Sequence, residues 1–232
     1  LSYYPGIMSY DMFAQTPQAL GVEPISKYHP PLHTLFWRFC LNLEELTNKN
    51  ALVTYSVLQM IIMAGCLAYL LYFFANKEVH TIFLTVAMLF FCFNPVVVIF
   101  SFIPAKDVLF SGAIIVFSVE MLLLISGQDV KIGCAIRYVI SGVLCCLLRN
   151  NMIYAFVVAL VFILLIVRHC RIRVAVCSML VMVVFLIING PIYAKLGFAE
   201  GNPREMLSVP IQQISYVVVQ RREELSDVDI QN

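Results

Sequence analysis

Between residues 52 and 191 the chain is built from six apolar runs, roughly 52–75, 80–101, 107–126, 132–149, 151–167 and 173–191, separated by a few polar residues each. About 20 residues in a helix, at about 1.5 Å per residue, cross a hydrocarbon core of about 30 Å. The pattern predicts six membrane helices, with successive helices as antiparallel neighbours because the connections are short. Asn94-Pro95 predicts a kink in the second run, and Asn189-Gly190-Pro191 predicts the end of the sixth.

The flanks read differently. Pro5-Gly6, Pro17, Gly21, Pro24 and Pro30-Pro31 punctuate residues 1–31, which predicts a loop, with Tyr3, Tyr4, Tyr10 and Phe13 suited to a membrane interface. Over 32–46, Leu32, Leu35, Phe36, Phe39 and Leu43 recur at helical spacing while His33, Arg38, Asn42 and Glu45 break the other faces. That stretch is too short and too charged to span, and predicts a helix lying in the interface. After 192 the chain turns polar. Ser208 reads as an N-cap and Pro210 as a first-turn residue of a helix running to about Leu225, with Ile211, Ile214, Val218 and Leu225 on one face. Ser226 and Asp229 resemble a second capping signal. The organisation expected is an outer loop and interfacial helix at 1–51, six transmembrane helices at 52–191, and the start of an outer-face loop or domain at 192–232. The chain starts at Leu1 and ends in a charged segment, and it reads as a fragment cut at both ends.

Composition agrees with the pattern. Hydrophobic residues make up 61% and charged residues 12%, which selects a polytopic all-α membrane protein over a soluble domain. A net charge of +1 with no basic tract gives no sign of nucleic-acid binding. Six of the eight cysteines lie inside apolar runs, where the thiol behaves as a small hydrophobe, and there is no CxxC spacing. No cofactor is identified; two histidines without a third ligand give a divalent metal little support.

Arg168, Arg171 and Arg173 mark their loop as cytoplasmic by the positive-inside rule. Counting back, the loops at 127–131, with Lys131, and 76–79, with Lys77, share that side. The outer side then receives 1–51, 102–106, 149–151 and the chain beyond 192. Lys106 and Arg149 break the rule, at the outer ends of two spans.

Those two cations are the leading candidates for chemistry. Lys106, and Arg149 with Asn150 and Asn151 after it, can hold a phosphate at the membrane surface; the plainer reading is snorkelling to lipid headgroups. Asp107 can cap the helix it opens. Asp11 reads as a general base for an acceptor hydroxyl or amine, or as a turn aspartate after Pro5-Gly6. His29 and His33 flank Pro30-Pro31-Leu32 and either contact a phosphate, orient a carboxylate, or bond to nearby backbone. Gln212 and Gln213 can donate to a sugar or phosphate, or are simply solvated. Glu120 and Arg137 fall at similar depth on adjacent spans and read as a structural ion pair on the opposite face.

Asp11 in a first outer loop, followed by His29-Pro30-Pro31-Leu32 opening an interfacial helix and then a series of spans, resembles the GT-C superfamily of membrane glycosyltransferases. More closely, Tyr4-Pro5-Gly6 with Asp11, His29-Pro30-Pro31-Leu32-His33-Thr34-Leu35, Pro104-Ala105-Lys106-Asp107, Leu148-Arg149-Asn150-Asn151 and Ser208-Val209-Pro210-Ile211-Gln212-Gln213 resemble an uncharacterised family of bacterial multi-pass membrane proteins, grouped loosely with those enzymes. The resemblance covers nearly the whole chain. It implies an outer catalytic loop whose acid is Asp11, interfacial helices, and a lipid-linked sugar donor. One acid stands where GT-C loops carry an acidic pair.

The expectation is an integral protein of a bacterial plasma membrane with its active face outside. It would transfer a sugar from a polyprenyl-phosphate carrier to an acceptor the sequence does not name. The competing expectation is a transporter or flippase of an anionic or lipid-linked substrate.

Overall fold

The computed structural model describes residues 7–126, 132–201 and 208–220, with the backbone alone for 208–210. Tyr4-Pro5-Gly6, the loop expected at 127–131 with Lys131, and the Ser226–Asp229 signal lie outside the described residues. The described chain is all-α: α1 (Tyr10–Ala19), α2 (Pro31–Thr47), α3 (Ala51–Asn76), α4 (Thr81–Phe93), α5 (Pro95–Phe102), α6 (Lys106–Ile125), α7 (Ile132–Leu148), α8 (Met152–Ile166), α9 (Arg171–Ile187), α10 (Tyr193–Lys195) and α11 (Ser208–Gln220).

Three segments, α3, α6 and Arg171–Lys195, are long and apolar enough to cross a membrane, and α4 with α5 makes a fourth if that pair is one span. The chain is an integral membrane protein on this ground. The expectation of six spans is met by length and composition in these segments only. α7 and α8 are apolar but have 17 and 15 residues, and α8, at about 22 Å, falls short of a hydrocarbon core. Asn94-Pro95 produces a full break, bent by 49°. The Asn94 side chain accepts from Val96 N at 2.9 Å, so the break is also a capped helix start.

Residues 10–19, read as loop from their prolines, form a helix instead. Pro17 sits in its last turn, where little of the ladder remains to be interrupted. The carbonyls at the end of the helix are taken by Arg38, whose Nε and Nη2 donate to Ala19 O and Gln18 O at 2.8 and 2.9 Å. Trp37 Nε1 donates to Thr16 Oγ1 at 3.2 Å. α1 is thus stabilised by α2, a partner distant in sequence. Asn189-Gly190-Pro191 does not end the sixth run either. A π-helical turn over Ile188–Ile192 carries Pro191, and the chain continues helically to Lys195; the wider turn accommodates a proline that a regular α-helix would not.

Two clusters form the core. Phe117 of α6, Tyr138 and Val143 of α7, and Val174, Val181 and Phe185 of α9 make the larger one, pinned by a buried hydrogen bond of 2.8 Å between Tyr138 OH and Ser178 Oγ. Met12, Trp37, Cys40 and Tyr55 join α1, α2 and α3 in the smaller one. Gly142 lets α7 approach α9 closely: a Cβ there would lie 3.0 Å from Val181 Cγ2 and 3.1 Å from the Phe117 ring. Gly142→Val is therefore expected to cost about 1–3 kcal/mol by overpacking, read as an earlier thermal unfolding transition of the purified protein in a fixed detergent.

Candidate functional site

The site begins with the turn between α5 and α6. Gln59, fully buried on α3, donates from Nε2 to the carbonyls of Phe100, Ser101 and Ile103 at 3.3, 3.1 and 3.0 Å. Its Oε1 accepts from Ala105 N at 3.3 Å. Ser56, one turn earlier, donates to Phe102 O at 3.3 Å. These two side chains satisfy an irregular backbone that has lost its helical partners, and so fix where α6 starts. Lys106 and Asp107 are its first residues.

Lys106 Nζ donates to Asp11 Oδ2 at 2.5 Å. Asp11 lies in the first turn of α1, the electropositive end of that helix. Ser9, just before α1, adds a tie of 3.2 Å from its Oγ to Pro104 O, in the turn before Lys106. Burial works against the Asp11 charge, but the hydrogen bond and charge of Lys106, with smaller help from His29 and His33, outweigh it and hold the carboxyl below its usual value.

Asp107 does not cap α6; no side-chain cap closes that helix start. Its carboxylate faces Arg149 instead, at 3.8 Å, with both side chains more than half exposed. Arg149 follows the last residue of α7 and its backbone N–H bonds to Cys145 O at 3.1 Å, so its charge sits at the electronegative end of α7. The guanidinium also lies 5.5 Å over the Phe110 ring. Next to it, Asn150 Nδ2 donates to Lys27 O at 3.0 Å, and Lys27 Nζ pairs with Glu200 at 2.6 Å. A short parallel bridge, with Lys27 N bonded to Ala199 O at 2.9 Å and Ala199 N to Ile25 O at 2.8 Å, lashes these two loop segments together.

The paired charges and Asn150 line one cavity of about 1020 Å³. Asp11, Lys106, Asp107, Arg149, Asn150, Lys27 and Glu200 give its polar wall. Leu148, Ile153, Tyr154, Phe185 and Leu186 give its apolar one, and Asn189 of the π-helical turn reaches it as well. The cavity lies where α6 begins, α7 ends and α8 begins. Arg168, Arg171 and Arg173 stand at the far ends of α8 and α9.

Of the residues the sequence singled out, Asp11, Lys106, Asp107, Arg149, Asn150 and Asn151 meet here. His29 does not line the cavity but lies just behind it, buried, with its ring edge-on to Tyr28 at 4.5 Å. Burial and then the Lys106 charge lower its pKa against the pull of Asp11, so the ring is neutral at pH 7. His33 is not available to a phosphate. It is buried in the smaller core, with Nδ1 bonded to Gln15 Oε1 at 2.7 Å and Nε2 to Tyr55 OH at 2.8 Å; burial, then the Lys106 charge, lower it to about 4. Its two ring nitrogens are used up in joining α1, α2 and α3. Gln212 and Gln213 are exposed on α11 and are not among the lining residues.

Glu120 and Arg137 stand apart. Glu120 is fully buried, Arg137 Nε bonds to its Oε1, and Tyr69 OH donates to the same oxygen at 2.5 Å. Fourteen residues down α6 from Lys106 is about 21 Å, and neither residue lines the cavity. Among the described residues no three His, Cys, Asp or Glu side chains stand together as a metal site.

Sequence reasoning missed Lys27, Glu200 and Gln59. The first two are ordinary loop charges until the bridge between Ser26 and Ala199 forms. Gln59 did leave a signal, as an amide inside a 26-residue apolar helix whose other amide, Asn76, is its last residue.

The model of a family of unknown function (DUF6020) matches residues 24–232. That span contains Lys106, Asp107 and Arg149, and begins after Asp11. No curated protein and no solved structure matches the chain.

Proposed function

We propose that this chain, which belongs to the DUF6020 family, is a membrane transferase that moves a sugar from a polyprenyl-phosphate donor to an acceptor at the membrane surface. The observation that carries the reading is the meeting of Asp11, Lys106 and Arg149, from three distant segments, on one cavity that also has an apolar wall. The apolar wall suits the first carbons of a lipid tail and the cations suit its phosphate. The donor's phosphate competes with Asp11 for Lys106. As it takes its share, Asp11 loses the partner that holds its pKa down and becomes a better base. Asp11 then accepts the proton of the acceptor hydroxyl, and the acceptor oxygen attacks the sugar's anomeric carbon. The bond from that carbon to the phosphate oxygen breaks, and polyprenyl phosphate departs with the electron pair, its charge stabilised by Lys106 and Arg149. In this reading the 106, 149 and 200 regions face outside, with the arginines of 168–173 in the cytoplasm of a bacterial cell.

Transport of the same lipid is the competing reading. Interrupted helices of transporters surround the substrate near the midplane; here α4 and α5 bury no residue and line no part of the cavity. The test is release of polyprenyl phosphate by the full-length purified protein supplied with candidate lipid-linked sugars and acceptors. Arg149→Ala is expected to lower that release by about 10- to 100-fold, the loss of one charged contact to the departing phosphate. Movement of the intact lipid between leaflets without release would favour transport.

A further inference from the structure

The polar wall is an alternation of charge. Asp11, Lys106, Asp107 and Arg149 read minus, plus, minus, plus along two ion pairs of 2.5 and 3.8 Å, and the Lys27–Glu200 pair keeps the whole cavity neutral. An anion that engages both Lys106 and Arg149 has to come close to Asp107, which follows Lys106 in the chain and faces Arg149. Drawing Lys106 away also leaves the half-buried Asp11 short of its partner, an unfavourable state for a carboxylate. Asp107 is open to a new partner. At 3.8 Å its contact with Arg149 is longer than a hydrogen bond, and its carboxylate neither caps α6 nor bonds to any other side chain among the described residues. A carboxylate can accept about four hydrogen bonds.

We propose that this wall takes a ligand carrying a phosphate and a primary ammonium a short spacer apart, and that Asp107 is the residue that selects the ammonium. The phosphate meets Lys106 and Arg149, the ammonium meets Asp107, and the count of charges in the cavity stays balanced. Such a headgroup belongs either to a membrane lipid or to a soluble phosphoamine. The proposal rests on the reading of Lys106 and Arg149 as a phosphate site, but not on sugar transfer.

The test is a native mass spectrometry titration of the full chain in detergent with phosphatidylethanolamine, phosphatidylglycerol and phosphatidylcholine. These supply a phosphate with an N–H ammonium, with hydroxyls only, and with a methylated ammonium that cannot donate. Phosphatidylethanolamine is expected to bind about tenfold more tightly than either of the others, the worth of one charge-assisted hydrogen bond. Asp107→Asn, an exposed change that keeps the side chain's shape, is expected to erase that preference, with phosphatidylglycerol bound at least as tightly as before because a carboxylate beside Arg149 is gone. Equal or better binding of phosphatidylglycerol by the unaltered protein overturns the proposal, and so does an Asp107→Asn variant that keeps the preference. Displacement of the bound lipid by soluble phosphoethanolamine assigns recognition to the headgroup alone, and resistance to displacement assigns it to the lipid as a whole; either supports the proposal. A protein that keeps the preference and transfers no sugar defeats the transferase reading alone.

Discussion

Asp11→Asn is expected to lower turnover by about 10²–10⁴-fold, the usual contribution of a positioned general base, and to leave the protein folded. Asparagine keeps the shape and can still accept from Lys106, but it cannot take the acceptor's proton. The pH profile separates this role from a structural one. In the resting protein the Asp11 carboxyl is held below its usual value by Lys106. A depressed carboxyl contributes stability that is present above its unfolded pKa and lost as pH falls through the folded one. The stability tied to this pair therefore disappears only in acid. Catalysis behaves differently, because the donor's phosphate draws on Lys106. The acid limb of kcat, which reports the bound state, is expected at higher pH than the acid limb of kcat/KM, which reports the free protein. Full turnover by Asp11→Asn, or coincident limbs, would remove Asp11 from the role of base.

The same geometry explains which parts of the molecule could be read in advance. Apolar runs report helices because burial and lipid contact are local properties of the run, and Lys106 and Arg149 stand out because they break the positive-inside rule at the outer ends of two runs. The partners were harder to see. Asp107 looked like a cap, the commonest role of an acid at a helix start, and its pairing with Arg149 depends on α7 returning to the point where α6 begins. Lys27 and Glu200 are 173 positions apart. α1 was hidden for a related reason. Pro17 is a true local signal against a helix, but Arg38 and Trp37 of another element reverse it. His33 misled in the opposite direction: a histidine beside prolines at an interface looks accessible, and only the packing of Gln15 and Tyr55 around it shows that both nitrogens are already used. Local physics wrote the helices; the charge pairs of the cavity come from contacts between elements.

Gln59 is where that distinction has its largest consequence for stability. Gln59→Leu keeps the volume and suits an apolar helix, so by composition alone it is a neutral change or an improvement. The structure gives the opposite expectation. Leucine cannot donate to the carbonyls of Phe100, Ser101 and Ile103, nor accept from Ala105 N. Phe100 O keeps a bond from Ile103 N at 3.3 Å, but the Ser101 and Ile103 carbonyls and Ala105 N sit at a helix break with no i→i−4 partner to fall back on. Leaving a buried backbone group unpaired costs about 1–3 kcal/mol, and with more than one affected the loss is expected to reach about 2–5 kcal/mol. Ser56→Ala removes one bond of 3.3 Å from the same turn and is expected to cost only about 1 kcal/mol. Measured side by side as thermal unfolding in one detergent, the two variants should separate clearly, with Gln59→Leu far the less stable. Because Lys106 follows Ala105 directly, the glutamine variant is also expected to loosen the Asp11–Lys106 pair and to lose lipid-phosphate binding, which the serine variant keeps. If both unfold together with the unaltered protein, the turn before α6 is held by something other than Gln59, and the placement of Lys106 opposite Asp11 does not depend on this buried amide.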